Sequence, residues 1–446
     1  MATTAQTPLG RGFHSSLGYF HSHNDYFNEQ VAEGCANKSY VDMWDTDRPA
    51  RTLNGTGPDG GYEEAVFTER ALAIISHHPL TSPLYMYYAL HTSCVGVKRP
   101  GDKYGVPGKA EALQAPARFY DQLSFIDNHN RRQNHAMIML MDESVGRIAD
   151  ALQQRGMWAD TLLVWSSDNG GAVHLGGGAN SFPLRGGYYN NCETRCCWYL
   201  GCIHPRVPAI SLRTGEGGTR VSALVNGGFL PERMRGRKME EPMHEADWCK
   251  IVMLSRFVAL SFSLTPKASP FLTDSTFCHL AGVPAHDDKA AAATPPLPPI
   301  DSLNLWDLLS GRNSTSPRRE WALTPFGENT SMADWDDNRD DPHGGDAAYM
   351  LWPHKLLVGA VQQSGWCGEV HPNNSAPWDS FKSIEQCNTS TKIGCLFNVP
   401  TPIGPAHFNW SRATSFRFRS SDFFGGTGTG GPRGAHRLGA DAAGPR

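Results

Sequence analysis

The 446-residue sequence predicts an α/β fold, and three observations carry that prediction. An apolar run of strand length, Leu162 to Trp165, ends in Ser-Ser-Asp168-Asn169-Gly-Gly. A long helical pattern comes just before it, and an earlier apolar run comes before that helix. Gly (46) and Pro (31) are plentiful and charged residues reach only 19%, which favours a loop-rich α/β or α+β globule over a helical bundle.

In chain order, residues 1–60 read as mostly loop. The first helix is expected from Tyr62 to His78, with Phe67, Ala71, Ile74 and Ile75 at helical spacing and Pro79 and Pro83 closing it. Pro83 to Leu90 reads as a buried strand. A second helix is expected from about Arg132 to Gly156, with Ile138, Met141, Val145, Ile148 and Leu152 on one face. Strand, helix and strand in that order form a βαβ unit, so 83–90 and Leu162–Trp165 should be parallel with a right-handed crossover. Val221 to Asn226 is a third strand candidate.

Gly282 to Pro299 shifts to Ala and Pro and reads as a linker. A short helix follows around Ser302–Ser310. Beyond about 318 a smaller unit begins, in which Tyr349–Trp352 and Lys355–Val361 look like paired strands. The tail from about 420 has no core-forming residues and should be disordered.

The strand end at 166–171 is the place where chemistry is expected. Ligands of open α/β sheets sit beyond the carboxyl ends of the strands. A carboxylate and an amide oxygen there, Asp168 and Asn169, suit a hard cation such as calcium. Taken alone, the same four residues also read as a strand ending in an Asx turn.

The net charge of -4 points to neither nucleic acid nor an anionic membrane surface. Ile251 to Leu264 is too short to span a membrane and holds Arg256. Seven N-x-S/T sequons stand at Asn37, Asn54, Asn313, Asn329, Asn373, Asn388 and Asn409. Chance supplies only about two or three. They favour the secretory pathway, with a lysosomal or extracellular destination. Met1-Ala-Thr-Thr-Ala-Gln has neither the basic start nor the apolar run of a signal peptide. Eleven cysteines leave at least one unpaired in any intramolecular scheme, and Cys387 and Cys395 straddle a loop that a disulfide could close.

Several motifs then occur in order. Arg11-Gly-Phe, Leu17-Gly-Tyr-Phe and Leu140-Met-Asp-Glu-Ser-Val-Gly146 precede Ser167-Asp-Asn-Gly-Gly. Pro183-Leu-Arg-Gly-Gly187, Glu216-Gly-Gly-Thr-Arg-Val221, His244-Glu-Ala-Asp-Trp248, Pro298-Pro-Ile-Asp-Ser302 and Lys355-Leu-Leu-Val-Gly359 come after it. In this order, over about 1–400, the set resembles arylsulfatases, nearest the arylsulfatase B-like branch. The resemblance implies an alkaline-phosphatase-like α/β domain with a mostly parallel central sheet, plus a small C-terminal antiparallel α+β domain. On that basis 1–318 is the catalytic-type domain, 319–400 the small C-terminal subdomain and 401–446 the tail.

The resemblance also implies calcium-dependent hydrolysis of sulfate esters, on a sulfated small molecule or glycan, through a formylglycine made from Cys in C-x-P-S-R. It makes Asp168 and Asn169 two of the Ca²⁺ ligands. No catalytic side chain of the family can be carried over. None of the eleven cysteines stands in C-x-P-x-R. The family's motif Lys is Tyr188 here, and either Cys94 or Ala110 falls where a later His belongs. A missing N-terminal part is therefore expected, and this chain is expected to be inactive. The alternative is a degenerate, non-catalytic relative that at most binds sulfated glycans. Stretches near 94–111, 192–215 and 250–275 interrupt motifs, whereas natural insertions favour loop tips, so translated intron sequence is expected there.

Other clusters have plain readings. Cys192, Cys196, Cys197, Cys202 and His204 lack the paired spacing of zinc modules. His21, His23 and Asp25 read as a loop. Asp142 and Glu143 do not face each other on a helix and read as a solvated face. Arg185 and Glu216-Gly-Gly read as structural.

Overall fold

The structure is a computed structural model that describes residues 4–20, 24–31, 40–50, 58–94, 96–97, 111–171, 178–181, 184, 216–248, 275–284, 292, 301–324, 347–362, 384–387 and 395–399. The stretches near 94–111, 192–215 and 250–275 lie mostly or wholly outside these residues, as do the cysteine cluster at 192–204, His21, His23, Arg185, Tyr188, Ile251–Leu264 and the tail from 420. Among the described residues no helix is long and apolar enough to cross a membrane.

The N-terminal body is built on helices. Helix α1, Glu63–His77, matches the expected span. It buries Ala65, Thr68, Ala71 and Ile75, and Arg155 holds its end by donating to the Ile75 and His78 carbonyls. Helix α2 is Ala117–Gln122 and α3 is His129–Gln154. The Asn128 side chain caps α3 by accepting from the Arg131 N–H at 3.0 Å. The buried face of α3 is rotated from the expected one. It presents Met137, Leu140, Ser144 and Leu152, and Ile138 is exposed. The reason is polar. Ser144 takes an inward position because its hydroxyl accepts from Thr68 Oγ1 of α1 at 3.0 Å. Tyr26, Tyr62, Leu113, Phe119, Leu123, Ala136, Met137 and Leu140 close the core between these helices.

Strand β1, Leu163–Ser166, lies where the apolar run predicted it, and β2 is Ala223–Asn226. Among the described residues the expected parallel βαβ unit is not seen: residues 83–90 belong to no strand there, and Tyr87 is 72% exposed. β1 instead pairs antiparallel with β2, Leu163 opposite Asn226 and Ser166 opposite Ala223. Just past β2 the chain closes on the residue before Leu162: Gly227 sits at φ +106° and a Cβ there would fall 2.1 Å from the Thr161 carbonyl oxygen. Only glycine permits that approach.

Behind this pair lies a second core of Trp248, Leu280, Leu305, Trp306 and Leu309, against which Leu162, Val164, Val225 and Phe229 pack. Helices α4 (Glu216–Thr219), α5 (Thr276–Ala281) and α6 (Trp306–Leu309) border these strands and this core. Asp247, fully buried, anchors the region. It accepts two hydrogen bonds from Arg318 Nε, at 2.9 and 2.7 Å, and one from the Leu303 N–H at 2.9 Å.

After residue 318 the described chain is a five-stranded antiparallel sheet. It comprises β3 (Glu320–Thr324), β4 (Ala347–Leu351), β5 (His354–Gln362), β6 (Ile384–Cys387) and β7 (Cys395–Asn398). The expected pairing around Pro353 is the β4–β5 hairpin, with Leu351 opposite His354. The register sets Cys387 opposite Gly359 and Cys395 opposite Leu357, two positions apart along β5. Their side chains lie outside the described residues.

Candidate functional site

The corner after β1 is held by backbone. Ser167 N–H donates to the Ser222 carbonyl at 3.1 Å, and Gly170 N–H donates to that of Gly218 at 3.1 Å. Gly170 lies flat against α4, since a Cβ there would come within 1.7 Å of the Gly217 oxygen. The Ser-Asp-Asn-Gly-Gly and Glu-Gly-Gly motifs therefore meet, and their glycines are what allow it. Glu216 accepts an ion-paired hydrogen bond from Lys355 Nζ of β5 at 2.5 Å, and Lys355 is only 2% exposed. Three motifs far apart in sequence converge here.

Asp168 is exposed and has no side-chain partner among the described residues. Asn169 is half-buried. Its Nδ2 donates to the Gly170 carbonyl at 3.1 Å, and its own carbonyl accepts from Ser167 Oγ at 2.8 Å. That arrangement leaves the Asp168 carboxylate and the Asn169 amide oxygen for a hard cation. Calcium takes six to eight oxygens. Among the described residues no group of three His, Cys, Asp or Glu stands together as a metal cluster. The two oxygens on hand do not by themselves fit a held Ca²⁺.

A second polar constellation sits at the start of α1. Glu63 and Glu64 are fully buried. Glu63 accepts from His91 Nδ1 at 2.5 Å and from Asn24 Nδ2 at 2.5 Å. Glu64 accepts from the Tyr88 hydroxyl at 2.5 Å and from the His91 backbone N–H at 3.1 Å. Burial pushes Glu64 up, against the hydrogen bonds from Tyr88 and His91. Burial pulls His91 down, but the Cys94 thiol and Glu63 outweigh it and raise the imidazole to about 9. Sequence reading missed this group. Two acids at a helix N-terminus ordinarily favour the exposed end of the helix dipole, and nothing in the local pattern marks them as buried.

The remaining candidates are structural. Asp25 is buried in a turn, accepting from the Phe27 and Asn28 N–H groups and from Gln114 Nε2. Asp142 is exposed, and Glu143 pairs with Arg118, whose hydrogen bonds hold its carboxyl below the usual range. A groove of about 510 Å³ beside Phe27, Pro116, Arg118, Tyr120 and Gln133 borders none of the motif residues.

The sulfatase family model matches residues 3–217, which include the corner after β1 and the Glu-Gly turn that packs on it. Over these residues the chain carries a sulfatase domain. It is an arylsulfatase-like member, and its sulfatase domain implies the alkaline-phosphatase-like α/β fold. It is 28% identical to mouse arylsulfatase J over 243 residues, 54% of this chain and 32% of that protein. It is 23% identical to mouse N-acetylgalactosamine-6-sulfatase over 256 residues, 52% of this chain and 45% of that protein. The sulfatase chain thus spans less than half the length of either relative. Among solved structures, Ps i-CgsB superposes with a TM-score of 0.47 at 19% identity, covering 80% of this chain and 59% of that one, a likeness too loose to bear on fold or function.

Proposed function

We propose that the chain belongs to a hydrolase of sulfate esters, aryl or sugar-borne, with Asp168 and Asn169 contributing two ligands to its divalent cation. In that reaction water adds, the ester S–O bond breaks, and an alcohol and hydrogen sulfate leave. The observation that carries the reading is the convergence of Ser167–Gly171 on Glu216-Gly-Gly inside the sulfatase match. Sulfatases generally bind a divalent cation, and an exposed carboxylate next to an amide oxygen suits calcium. A bound cation would polarise the sulfate oxygens. This chain's contribution is to hold two oxygens at the end of β1.

We also propose that the 446 residues as they stand release no sulfate. No cysteine among them stands in C-x-P-x-R, and Tyr188 replaces a cation that would neutralise developing charge. The purified chain is expected to give no calcium-dependent sulfate release from an aryl sulfate, and measurable turnover would overturn this. Calorimetry should show weak calcium binding. Tight binding that Asp168→Ala abolishes would overturn the two-ligand reading.

The antiparallel sheet at 320–398 agrees with a small C-terminal subdomain, and a mostly parallel central sheet rests on the family alone. A lysosomal or extracellular route rests on the sequons. Expression in a secreting cell line, followed by glycosidase digestion, should show a mass shift.

A further inference from the structure

The chain leaves α6 through a turn that the sulfatase reading does not use. Gly311, at φ +71°, donates its N–H to the Leu308 carbonyl at 3.1 Å, and the Arg312 and Asn313 N–H groups both donate to that of Asp307 at 2.9 Å. The chain is caught again at Ser316, which is buried and whose N–H donates to Glu241 Oε2 at 2.9 Å. Just beyond it, Arg318 is locked on Asp247. Residues 311–315 between these anchors are all exposed. They form a solvent-facing tip, fixed at both ends.

The tip holds Asn313-Ser314-Thr315, and Asn313 is the only asparagine of the seven N-x-S/T sequons that lies among the described residues. Its Oδ1 accepts from the Thr315 N–H at 3.1 Å and from the Thr315 hydroxyl at 3.0 Å. The amide and the hydroxyl, the two groups that define a sequon, therefore stand side by side. Both bonds are local along the chain, so they need no tertiary contact to form. Ser314 lies between them, at the one position where a proline would forbid modification. No buried side chain belongs to the tip, so a bulky hydrophilic group joined to Asn313 Nδ2 displaces nothing from the core.

The same tip is a weak point. The Arg312 side chain is 65% exposed, and exposed loop tips are where proteases nick folded chains. We propose that Asn313 is an N-glycan attachment site, and that its glycan shields the Arg312–Asn313 bond from trypsin-like proteases. The site rests on the secretory route proposed above. The donor is an oligosaccharide carried on a lipid pyrophosphate. Asn313 Nδ2 forms a bond to the anomeric carbon, and the bond from that carbon to the pyrophosphate oxygen breaks. The lipid pyrophosphate leaves with the electron pair, and the amide gives up one proton to a base of the transferring enzyme.

The full chain is to be expressed in a secreting cell line, with and without an added cleavable signal peptide. Peptide N-glycosidase in heavy-oxygen water turns each glycan-bearing asparagine into labelled aspartate, read by peptide mass spectrometry on cells and medium together. Removal of the signal peptide reports entry into the lumen, so a chain that folds poorly is still read. Asn313 should be labelled in chains that have lost the signal peptide. Thr315→Ser should keep that label, and Thr315→Val should lose it while other sequons keep theirs. Trypsin should then cut the wild type after Arg312 several-fold more slowly than Thr315→Val. If only the chain given a signal peptide is labelled at Asn313, the native route falls and the attachment site stands. An entered chain unlabelled at Asn313 overturns the site, as does a label that survives Thr315→Val. Equal cutting after Arg312 in the two chains overturns the shielding.

Discussion

Glu63 and Asp168 are both carboxylates at the end of a regular element, and their settings are opposite. Glu63 opens α1, is 0% exposed, and is matched by His91 and Asn24. Asp168 follows β1, faces solvent, and has nothing opposite it among the described residues. The first is an assembled device, costly to bury and held by specific donors. The second is an open position whose value depends on ligands from elsewhere. A family motif, then, marks where a site is organised and not how complete it is. The most developed titratable group in this sulfatase chain lies outside the motifs.

The largest expected effect is on the buried side of this contrast. Glu63→Ala strips His91 and Asn24 of their acceptor inside the core and should cost about 3–5 kcal/mol, measured by urea unfolding. A cost as small as that of a surface change would show that the buried pair is not holding the N-terminal body.

Next is Gly170→Ala at the motif corner. Its Cβ would overlap the Gly217 oxygen, so β1 or α4 must shift, at about 1–3 kcal/mol. Wild-type stability for this variant would mean that the two motifs do not touch.

A pH effect comes third. The folded His91 is raised to about 9 by Cys94 and Glu63 against burial. Its contribution is therefore fully present below the free histidine value of about 6.5 and is lost as pH rises through about 9. Thermal melts between these limits should lose on the order of 1–2 kcal/mol, and His91→Asn should flatten that slope. A slope unchanged by His91→Asn would assign it to another group.

Asp168→Ala should do least. An exposed carboxylate without a partner should leave stability within about 0.5 kcal/mol in the same urea experiment. A loss near that of Glu63→Ala would collapse the contrast between the two carboxylates.

Legibility in the sequence followed the range of the interactions involved. α1, α3 and β1 were readable because a period or run of apolar residues is a local signal, while the Asn128 cap that starts α3 three residues before Arg132 went unread. The Lys355 strand was readable for the same reason. The partner of β1 was not, since Leu162–Trp165 would serve equally against a parallel or an antiparallel neighbour. The burial of α3 was misjudged by a fraction of a turn because a hydroxyl pair, Thr68 and Ser144, outweighed the choice of Ile138. Asp168 and Asn169 were expected from the strand end and from motif order. Glu63 and His91, 28 positions apart, left no such trace.

The sequence by itself determined the family, the principal helices and the turn chemistry at 167–171, because each depends on residue identity at short spacing or in fixed order. Only the tertiary structure decided that β1 runs antiparallel to β2, that Lys355 closes on Glu216, and that Glu63 is buried against His91. Each of those depends on which groups lose water together when distant segments meet. A carboxylate's burial and charge partner are properties of that meeting, and no single stretch of chain encodes them.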